Sequence, residues 1–198
     1  MTVAHDAVVL AAGGSRRLGR AKQLLTAGGE ALVARVVRCV LATRPSRTLV
    51  ILGAYEHAIA APLERYDVEI LRNPAWETGM ASSLHVAARA LQGRTQPVLL
   101  TVVDQPALET HHFANLLAAH DGSTDTVSAY GGVLGVPAVV RASTLARAED
   151  LTGDTGFRRL WHAETPRAIR ADELADDIDD EADVTRAIAA GRLDAMPR

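Results

Sequence analysis

An apolar run that leads directly into a glycine loop is the feature that most constrains the fold of this chain. Residues 7–10 read Ala-Val-Val-Leu, and such an unbroken run is typical of a parallel strand buried on both faces of a sheet. Gly13 and Gly14 follow, and three arginines and a lysine come soon after them. Glycines let a backbone turn sharply and bring its amide groups close to anionic oxygens. The segment therefore predicts a phosphate-binding loop in which Arg17 and Lys22 supply charge to a polyphosphate. An ordinary strand-to-helix turn with surface arginines is the alternative.

Two common phosphate-loop patterns do not fit this loop. The pattern GxxxxGK[ST] fails because Gly19 is followed by Arg20, where a lysine and then Ser or Thr are needed. The dinucleotide pattern GxGxxG fails because Gly13 and Gly14 are adjacent. If the loop binds phosphate, it therefore belongs to another class of phosphate-binding loop.

Apolar strand candidates alternate with amphipathic helix candidates along the chain, which predicts an α/β fold with a largely parallel sheet. The predicted strands lie near residues 6–12, 47–53, 67–71, 97–103 and 125–129, and the predicted helices near residues 30–44, 55–65, 79–92, 109–119 and 143–149. Residues 130–140 contain three glycines and a proline among valines, so we expect an irregular strand or hairpin that makes the sheet mixed. We find no internal repeat or long linker and expect one domain over residues 1–198.

A buried strand ends in a carboxylate at Leu-Leu-Thr-Val-Val-Asp-Gln-Pro, residues 99–106. In α/β sheets the ligand crevice lies at the carboxyl ends of the strands, so Asp104 and the first loop should meet there. A carboxylate beside a nucleoside triphosphate can hold Mg²⁺, a hard cation that prefers one or two carboxylates together with phosphate and water oxygens. The alternative is that Asp104 is a turn or helix-capping residue.

A third motif covers residues 73–84, Asn-Pro-Ala-Trp-Glu-Thr-Gly-Met-Ala-Ser-Ser-Leu. Pro74 enforces an extended loop, and the second half begins a helix with small hydroxyl residues and free backbone N–H groups in its first turn. Such a helix start favours anions and can also hydrogen-bond a base edge. The alternative is that Ser82 and Ser83 only cap the helix.

These three motifs resemble those of the MobA-like nucleotidyltransferases, and among them most closely the molybdenum cofactor cytidylyltransferases. The first reads LAAGxSxRxGxxK, with Leu18 in a position where the family usually has Met, a volume-conserving change. The Asp-Gln-Pro sequence is similar to the family's metal-binding motif, and NPxWExGMxSS to its nucleotide-side motif. The resemblance implies a single-domain, three-layer α/β/α nucleotidyltransferase of the Rossmann-like (GT-A-like) fold, with Arg17, Lys22 and Asp104 as catalytic residues. The implied nucleotide contacts are Leu10, Ala11, Ala12, Gly13, Gly14, Ser15, Asn73, Gly79, Ser82 and Ser83.

Later segments resemble the family's acceptor side and its closing element. Gly135-Val136-Pro137 and Gly-Asp-Thr-Gly-Phe-Arg at residues 153–158 imply acceptor contacts, although Val136 stands where the family often has His. The implied contacts are Gly135, Pro137, Asp154 and Arg158. Residues 177–183 resemble a closing DIDTPEDL element in which a carboxylate returns to the metal, so Asp177 and Asp179 join Asp104 as candidate metal ligands. By default, an acidic run such as the one that begins near residue 172 is a solvated face or a frayed tail.

The function implied by the resemblance is Mg²⁺-dependent transfer of a nucleoside monophosphate to a phosphorylated pterin-type acceptor, the molybdenum cofactor, with release of pyrophosphate. CTP is favoured because Ala12 precedes Gly13, where the guanylyl branch usually has Gly. Three alternatives stay open: a guanylyltransferase, a nucleotidyltransferase with another phosphorylated acceptor, and a non-catalytic maturation factor that delivers cofactor. A molybdoenzyme or its maturation chaperone is a possible protein partner.

Composition excludes several other classes of protein and of binding site. The net charge of −3 argues against a general nucleic-acid binder, and no apolar stretch is long enough to predict a membrane span or a signal peptide, so we expect a cytoplasmic protein. Cys39 is the only cysteine, which excludes an internal disulfide and a Cys-based metal site, and its helical apolar context predicts a buried residue. We expect the seven histidines to be structural or surface residues.

Overall fold

The computed structural model describes residues 3–195 and contains one large sheet with helices on both faces. The strands are β1 (Asp6–Leu10), β2 (Thr26–Ala27), β3 (Glu30–Ala31), β4 (Thr48–Leu52), β5 (Glu69–Arg72), β6 (Val98–Val102), β7 (Thr126–Tyr130), β8 (Val133–Val140) and β9 (Arg167–Arg170). The α-helices are α1 (Leu32–Leu41), α2 (Glu56–Ala60), α3 (Met80–Ala90), α4 (Thr110–Ala119), α5 (Ala142–Ala146), α6 (Arg158–Glu164) and α7 (Glu181–Ala189). Short 3₁₀ helices cover Lys22–Leu24, Ala61–Leu63, Trp76–Thr78, Arg147–Asp150 and Asp172–Ala175.

The large sheet has seven strands in the order β5-β4-β1-β6-β8-β7-β9. The pairs β5/β4, β4/β1 and β1/β6 are parallel, as is β7/β9, whereas β8 is antiparallel to both of its neighbours. The sheet is therefore mostly parallel with one reversed strand, which confirms the predicted mixed α/β architecture. β2 and β3 form a separate two-residue hairpin ladder.

Alternate residues of β1 enter two different cores, as the predicted burial of this strand on both faces requires. Ala7 and Val9 pack with apolar residues of α1 and α4 on one face of the sheet. Val8 and Leu10 pack with α3 and α6 on the other face. The three layers implied by the sequence are thus present. Cys39 is 4% exposed in the first of these cores, which confirms its prediction as a buried residue.

The predicted elements agree with the structure to within a few residues, and residues 130–140 form the predicted hairpin. β7 and β8 pair from Tyr130 and Val133 across Gly131 and Gly132, whose φ angles of 55° and 77° suit a two-residue turn of this kind. Strand β9 and helices α6 and α7 had no counterpart among the predicted elements. None of the helices within residues 3–195 combines the length and apolar character needed to cross a membrane.

A third, smaller core joins the C-terminal part of the chain to the first loop. Leu18 from that loop and Leu25 after it pack with Ile178, and with Val184 of helix α7. This contact brings the segment before α7 next to the carboxyl ends of β1 and β6, where the candidate site lies.

Candidate active site

The carboxyl ends of β1 and β6 form the crevice predicted from the sequence. The chain places β4 on one side of β1 and β6 on the other, and ligand crevices in α/β sheets form where the strand order diverges in this way. The first cleft at this point has a volume of about 300 Å³. It is lined by Leu10, Ala11, Ala12, Gly13, Gly14, Arg16, Lys22, Gln23, Trp76, Glu77, Gly79, Met80, Ser83, Val102, Val103, Asp104 and Asp154.

The turn of the first loop lies later than we predicted. Positive φ angles occur at Ser15 (47°) and Gly19 (71°), and not at Gly13 or Gly14. Gly14 is required for another reason: an ideal Cβ there would lie 2.5 Å from Cζ3 of Trp76. A Cβ on Gly13 would meet no heavy atom within 4 Å, so the backbone at Gly13 is open to a ligand, as the phosphate-loop prediction expects.

Gln23 holds the loop in place and was missed in the sequence analysis. Its Nε2 donates to the carbonyl oxygens of Ala11 (2.9 Å) and Gly13 (2.8 Å), and the residue is 1% exposed. These bonds fix the carbonyls at the start of the loop, and Ser15 Oγ accepts a further bond from the backbone N–H of Lys22 (3.2 Å). The only sequence feature that could have indicated this role is the position of Gln23, between the basic loop and a pair of leucines.

Lys22 is the centre of the polar cluster in the first cleft. Its Nζ donates to Asp104 Oδ2 (2.7 Å), to the carbonyl oxygen of Ile178 (2.9 Å) and to Asp179 Oδ1 (3.1 Å). Burial alone would lower the pKa of Lys22, but the charges and hydrogen bonds of Asp104 and Asp179 outweigh burial and raise it. The ammonium is therefore fully charged at neutral pH and neutralises two carboxylates.

The acidic run contacts the basic loop, and so the default reading as a solvated face or frayed tail is wrong for this part of it. Arg17 forms an ion pair with Asp179, and Arg20 pairs with Glu181 at 2.5 Å. Arg17 itself is largely exposed, with 69% of its side-chain surface accessible. The loop arginines thus already have carboxylate partners from the C-terminal segment.

Backbone contacts fix the segment that carries Asp179. The N–H of Ile178 donates to the carbonyl oxygen of Asp104 (2.8 Å), and the Ile178 side chain is buried in the third core. Asp183 Oδ2 accepts from the N–H groups of Asp179 (2.8 Å) and Asp180 (2.9 Å), while Asp180 caps helix α7. Asp183 acts as a capping-box residue, which stabilises the start of the helix and the position of Asp179.

The three candidate metal ligands are close enough to affect one another electrostatically. Desolvation, and then the charges of Asp104 and Asp179, raise the pKa of Asp177, although the residue is exposed at the surface. A cluster of carboxylates that repel one another suits a cation, and hard oxygen donors suit Mg²⁺. Within residues 3–195, however, no three acidic, His or Cys side chains are arranged as a ready metal cage. These carboxylates alone therefore form no metal cage, and a metal ion held by them would need further oxygens, such as those of a substrate.

The third motif brings its polar residues together, with both serines in the first turn of the helix as predicted. Helix α3 begins at Met80, with Gly79 as N-cap, so Ser82 and Ser83 lie inside the first turn and do not cap it. Asn73 is 1% exposed and its Nδ2 donates to both serine hydroxyls, at 2.8 and 2.9 Å. Asn73 and Ser82 support the wall of the cleft, and Ser83 lines it.

Two N–H groups at the start of α3, predicted to be free, already have partners. The N–H of Met80 donates to Asp154 Oδ1 (3.3 Å) and that of Ala81 to the carbonyl oxygen of Gly153 (3.0 Å). Gly79 must be glycine here, because its φ is 109° and a Cβ would lie 2.3 Å from the Gly153 carbonyl carbon. The loop at residues 153–154 therefore packs directly on the start of the helix.

A second cleft of about 390 Å³ adjoins the first and contains most of the predicted acceptor residues. Gly135, Asp154, Arg158 and Asp177 line it, whereas Pro137 is buried in β8, where its carbonyl oxygen accepts from Ser128 Oγ (2.6 Å). Its walls are otherwise mainly apolar and aromatic, namely Leu84, Leu100, Tyr130, Leu134, Val136, Phe157 and Trp161. The two clefts share five residues, which are Leu10, Met80, Val102, Asp104 and Asp154.

Of the predicted catalytic and nucleotide-binding residues, nine line the first cleft, and Asn73 and Ser82 support its wall from behind. Ser15 and Arg17 do not line the first cleft, but both bond to residues of its polar cluster: Ser15 to the backbone of Lys22, Arg17 to Asp179. The nine lining residues are Leu10, Ala11, Ala12, Gly13, Gly14, Lys22, Gly79, Ser83 and Asp104.

The fold and the cleft define a nucleotidyltransferase of the Rossmann-like class. The model of the MobA-like NTP transferase domain matches residues 7–169, and the chain belongs to that family. It is 32% identical over 160 residues to "Nicotine blue oxidoreductase" of Paenarthrobacter nicotinovorans, covering 76% of this chain and 78% of the relative. It is 29% identical over 164 residues to "Purine catabolism protein PucB" of Bacillus subtilis, covering 77% of this chain and 78% of the relative.

Solved structures agree with the fold. Rv0371c of Mycobacterium tuberculosis H37Rv superposes with a TM-score of 0.82 at 23% identity, over 96% of this chain and 100% of the other. A nucleotidyl transferase of Methanothermobacter thermautotroptrophicus superposes with a TM-score of 0.81 at 23% identity, over 95% of this chain and 97% of the other.

Proposed function

We propose that the protein transfers CMP from CTP to the terminal phosphate of a molybdopterin-type cofactor and releases pyrophosphate. The observation that carries this proposal is the shared wall of the two clefts: Asp104 borders both, with Lys22 bonded to it in the first. A triphosphate in the first cleft and a phosphorylated acceptor in the second would meet at this carboxylate. The apolar and aromatic walls of the second cleft, together with Arg158, suit a planar acceptor that carries an anionic group.

The reaction needs positioning and charge neutralisation more than acid–base catalysis. A terminal phosphate oxygen of the acceptor attacks the α-phosphorus in line, and the bond to the departing pyrophosphate breaks. The acceptor phosphate is already ionised near neutral pH, so no strong general base is required. The buried His112, which hydrogen-bonds Ser128 Oγ (2.7 Å), illustrates that histidines here can serve the fold.

Lys22, Arg17 and the open backbone at Gly13 would stabilise the negative charge of the phosphates. Each cation now pairs with Asp179, so binding of a triphosphate would exchange a carboxylate partner for phosphate oxygens. Asp104 and Asp179, with Asp177 nearby, would hold Mg²⁺. When bound, that ion would neutralise phosphate charge and polarise the reacting phosphoryl group.

The choice of CTP and of the pterin acceptor depends on the resemblance to the cytidylyl branch. Ala12 lines the first cleft, although it is only 5% exposed and also belongs to the core beneath α3. The names of the two relatives point to different processes, an oxidoreduction and purine catabolism, and do not select an acceptor.

The deciding experiment measures pyrophosphate release by the purified protein with CTP or GTP, with and without Mg²⁺, and with and without the molybdenum cofactor. We expect release that requires all three of CTP, Mg²⁺ and the acceptor. A preference for GTP would indicate a guanylyltransferase, and release only with another phosphorylated acceptor would replace the pterin. Tight binding of the cofactor without any pyrophosphate release would favour a non-catalytic maturation factor.

A further inference from the structure

The aromatic ring of Trp76 is an unassigned part of the first cleft. Trp76, Met80 and Ser83 form a wall contributed by one chain segment, whereas the charged groups Lys22 and Asp104 come from other segments. Trp76 is half-buried, although it packs against the core beneath α3. An aromatic ring in the wall of a ligand cleft offers a flat apolar surface to that ligand.

Two glycines hold this ring in a fixed position. A Cβ on Gly14, after β1, would lie 2.5 Å from Cζ3 and 2.8 Å from Cη2 of Trp76. A Cβ on Gly53, after β4, would lie 2.6 Å from Cβ of Trp76 and 2.7 Å from its Cγ. After each of these two neighbouring strands, the residue that packs on the tryptophan is therefore a glycine, which has no side chain. The ring is rigidly placed, which lowers the entropic cost of binding against it.

A weakly held side chain covers the ring. The Arg16 guanidinium carbon lies 5.8 Å from the centroid of the Trp76 ring, and its nearest carboxylate, Glu77, is 3.9 Å away. Arg16 and Glu77 are 72% and 66% exposed, so this ion pair contributes little. An exposed cation over an aromatic ring is also held weakly compared with a stacked base.

We propose that Trp76 is the surface on which the nucleobase of a bound nucleoside triphosphate stacks, and that the base replaces the Arg16 guanidinium there. The inference rests on the proposed function in one respect, the nucleoside triphosphate as ligand. Stacking tolerates any base, because every base has a flat π-face. Trp76 therefore supplies affinity for the nucleoside, while the edge of the base is discriminated elsewhere, at residues such as Ala12 and Ser83.

Tryptophan fluorescence tests the stacking directly, because the chain has two tryptophans, Trp76 and Trp161. In the Trp161→Phe variant, Trp76 is the only tryptophan, and excitation at its red edge avoids the tyrosines. We expect CTP and GTP, each with Mg²⁺, to quench its emission saturably, and inorganic tripolyphosphate to compete with CTP without quenching. In Trp76→Phe the remaining emission of Trp161, in the second cleft, should respond little to CTP.

The affinity of substituted proteins gives an independent measurement. Trp76→Leu should weaken CTP binding by about tenfold to hundredfold and leave tripolyphosphate binding unchanged, whereas Trp76→Phe should retain most of the affinity. Thermal unfolding of each variant records any loss of packing against Gly14 and Gly53. Equal losses for CTP and tripolyphosphate, or no quenching by any nucleotide, would overturn the proposal.

The outcomes separate this inference from the proposed function. Quenching by nucleotides but not by tripolyphosphate, without pyrophosphate release, would refute the transfer reaction and leave the stacking in place. Pyrophosphate release from CTP without quenching of Trp76 would do the reverse.

Discussion

Lys22 and Asp104 form the residue pair on which the chemistry of this site depends. The 2.7 Å bond between them is shielded, since their side chains are only 14% and 20% exposed. The positive charge of Lys22 and the negative charge of Asp104 therefore largely neutralise each other. Lys22 can offer its charge to phosphate by exchanging Asp179 for phosphate oxygens, and we propose that Mg²⁺ then neutralises the carboxylates.

At this scale the first prediction concerns Asp104→Asn. An amide fills the same volume but cannot supply an anionic ligand, so we expect turnover to fall about a hundredfold or more while the protein stays folded. Steady-state pyrophosphate release and thermal unfolding measure the two effects. Asp176→Asn is the matched control, because Asp176 is 72% exposed and pairs with Arg192 at the surface. Near-normal Mg²⁺-dependent turnover in Asp104→Asn would show that Asp104 is not a metal ligand.

A second residue-scale prediction uses the raised pKa of Asp177. A carboxyl group whose pKa is higher in the folded state binds its proton more tightly there, so its ionisation lowers the stability of the fold as pH rises. Asp177→Asn abolishes that ionisation. We expect the variant to unfold about 1–2 °C above the native protein at pH 7 without Mg²⁺, a small effect because solvent screens the charges.

The dependence of this difference on pH and on metal checks its cause. The gain from Asp177→Asn should grow as pH rises above 3.8, the ordinary pKa of the group, and should shrink below it. Added Mg²⁺ should stabilise the native protein more than the variant if Asp177 helps to attract the ion. A pH-independent difference would mean that a change in packing, and not charge, causes it.

Among the elements, the contact between the first loop and the segment before α7 organises the site. Leu18 and Ile178 share a small core, and Arg17 and Arg20 pair with acidic residues at and after Asp179. The apolar contact is buried, whereas exposed ion pairs are individually weak and exchangeable. This combination lets the arginines change partners without separating the two elements.

The element-scale prediction is that Arg17 matters more for the ligand than for the fold. Arg17→Ala should cost about 1 kcal/mol of stability or less, because its pair with Asp179 is exposed. It should weaken CTP binding in the presence of Mg²⁺ by about tenfold or more, since charge-assisted bonds to phosphate are lost. Arg17→Lys should recover only part of the affinity, because an ammonium lacks the fork of the guanidinium.

Calorimetric titration with CTP measures this effect, and Arg170→Ala serves as its control. Arg170 pairs with Asp172 at the surface, outside both clefts, with 86% of its side chain exposed. Unchanged CTP affinity in Arg17→Ala would mean that Arg17 only forms a surface ion pair and does not bind the ligand.

The elements that could be predicted from the sequence are those with a strong local pattern. The apolar runs of β1 and β6, and the glycine loop after β1, located Lys22 and Asp104 correctly in one cleft. β9 and α7 escaped prediction because their patterns are polar: β9 reads Arg-Ala-Ile-Arg, and α7 buries only Val184 and Ala187. The family resemblance named Asp177 and Asp179, but their placement depends on long-range contacts, such as the bond from Ile178 to Asp104, that no local pattern encodes.

For the whole molecule, the arrangement of two clefts around one carboxylate predicts that the substrates can be disturbed separately. Two glycines provide a matched pair of substitutions, one beside each cleft. Alanine at Gly14 would press on the Trp76 ring, and alanine at Gly135 would place a Cβ 2.4 Å from the hydroxyl oxygen of Tyr130. Neither glycine has a positive φ, so the added methyl group acts through contact and not through backbone strain.

We expect Gly14→Ala to raise the KM for CTP and leave the KM for the acceptor near its native value, and Gly135→Ala to do the opposite. Pocket distortions of this size change specificity constants by about 10- to 200-fold. The measurement is kcat/KM for each substrate with the other saturating. Gly13→Ala is the control, because its added methyl group meets no neighbouring atom. It tests whether a methyl group in the first cleft is enough by itself to obstruct CTP. Gly122→Ala is less suitable, because its φ of 81° would add backbone strain. If both Gly14→Ala and Gly135→Ala changed the same KM, the two clefts would hold parts of one substrate. The assignment of the first cleft to CTP and of the second cleft to the acceptor would then be wrong.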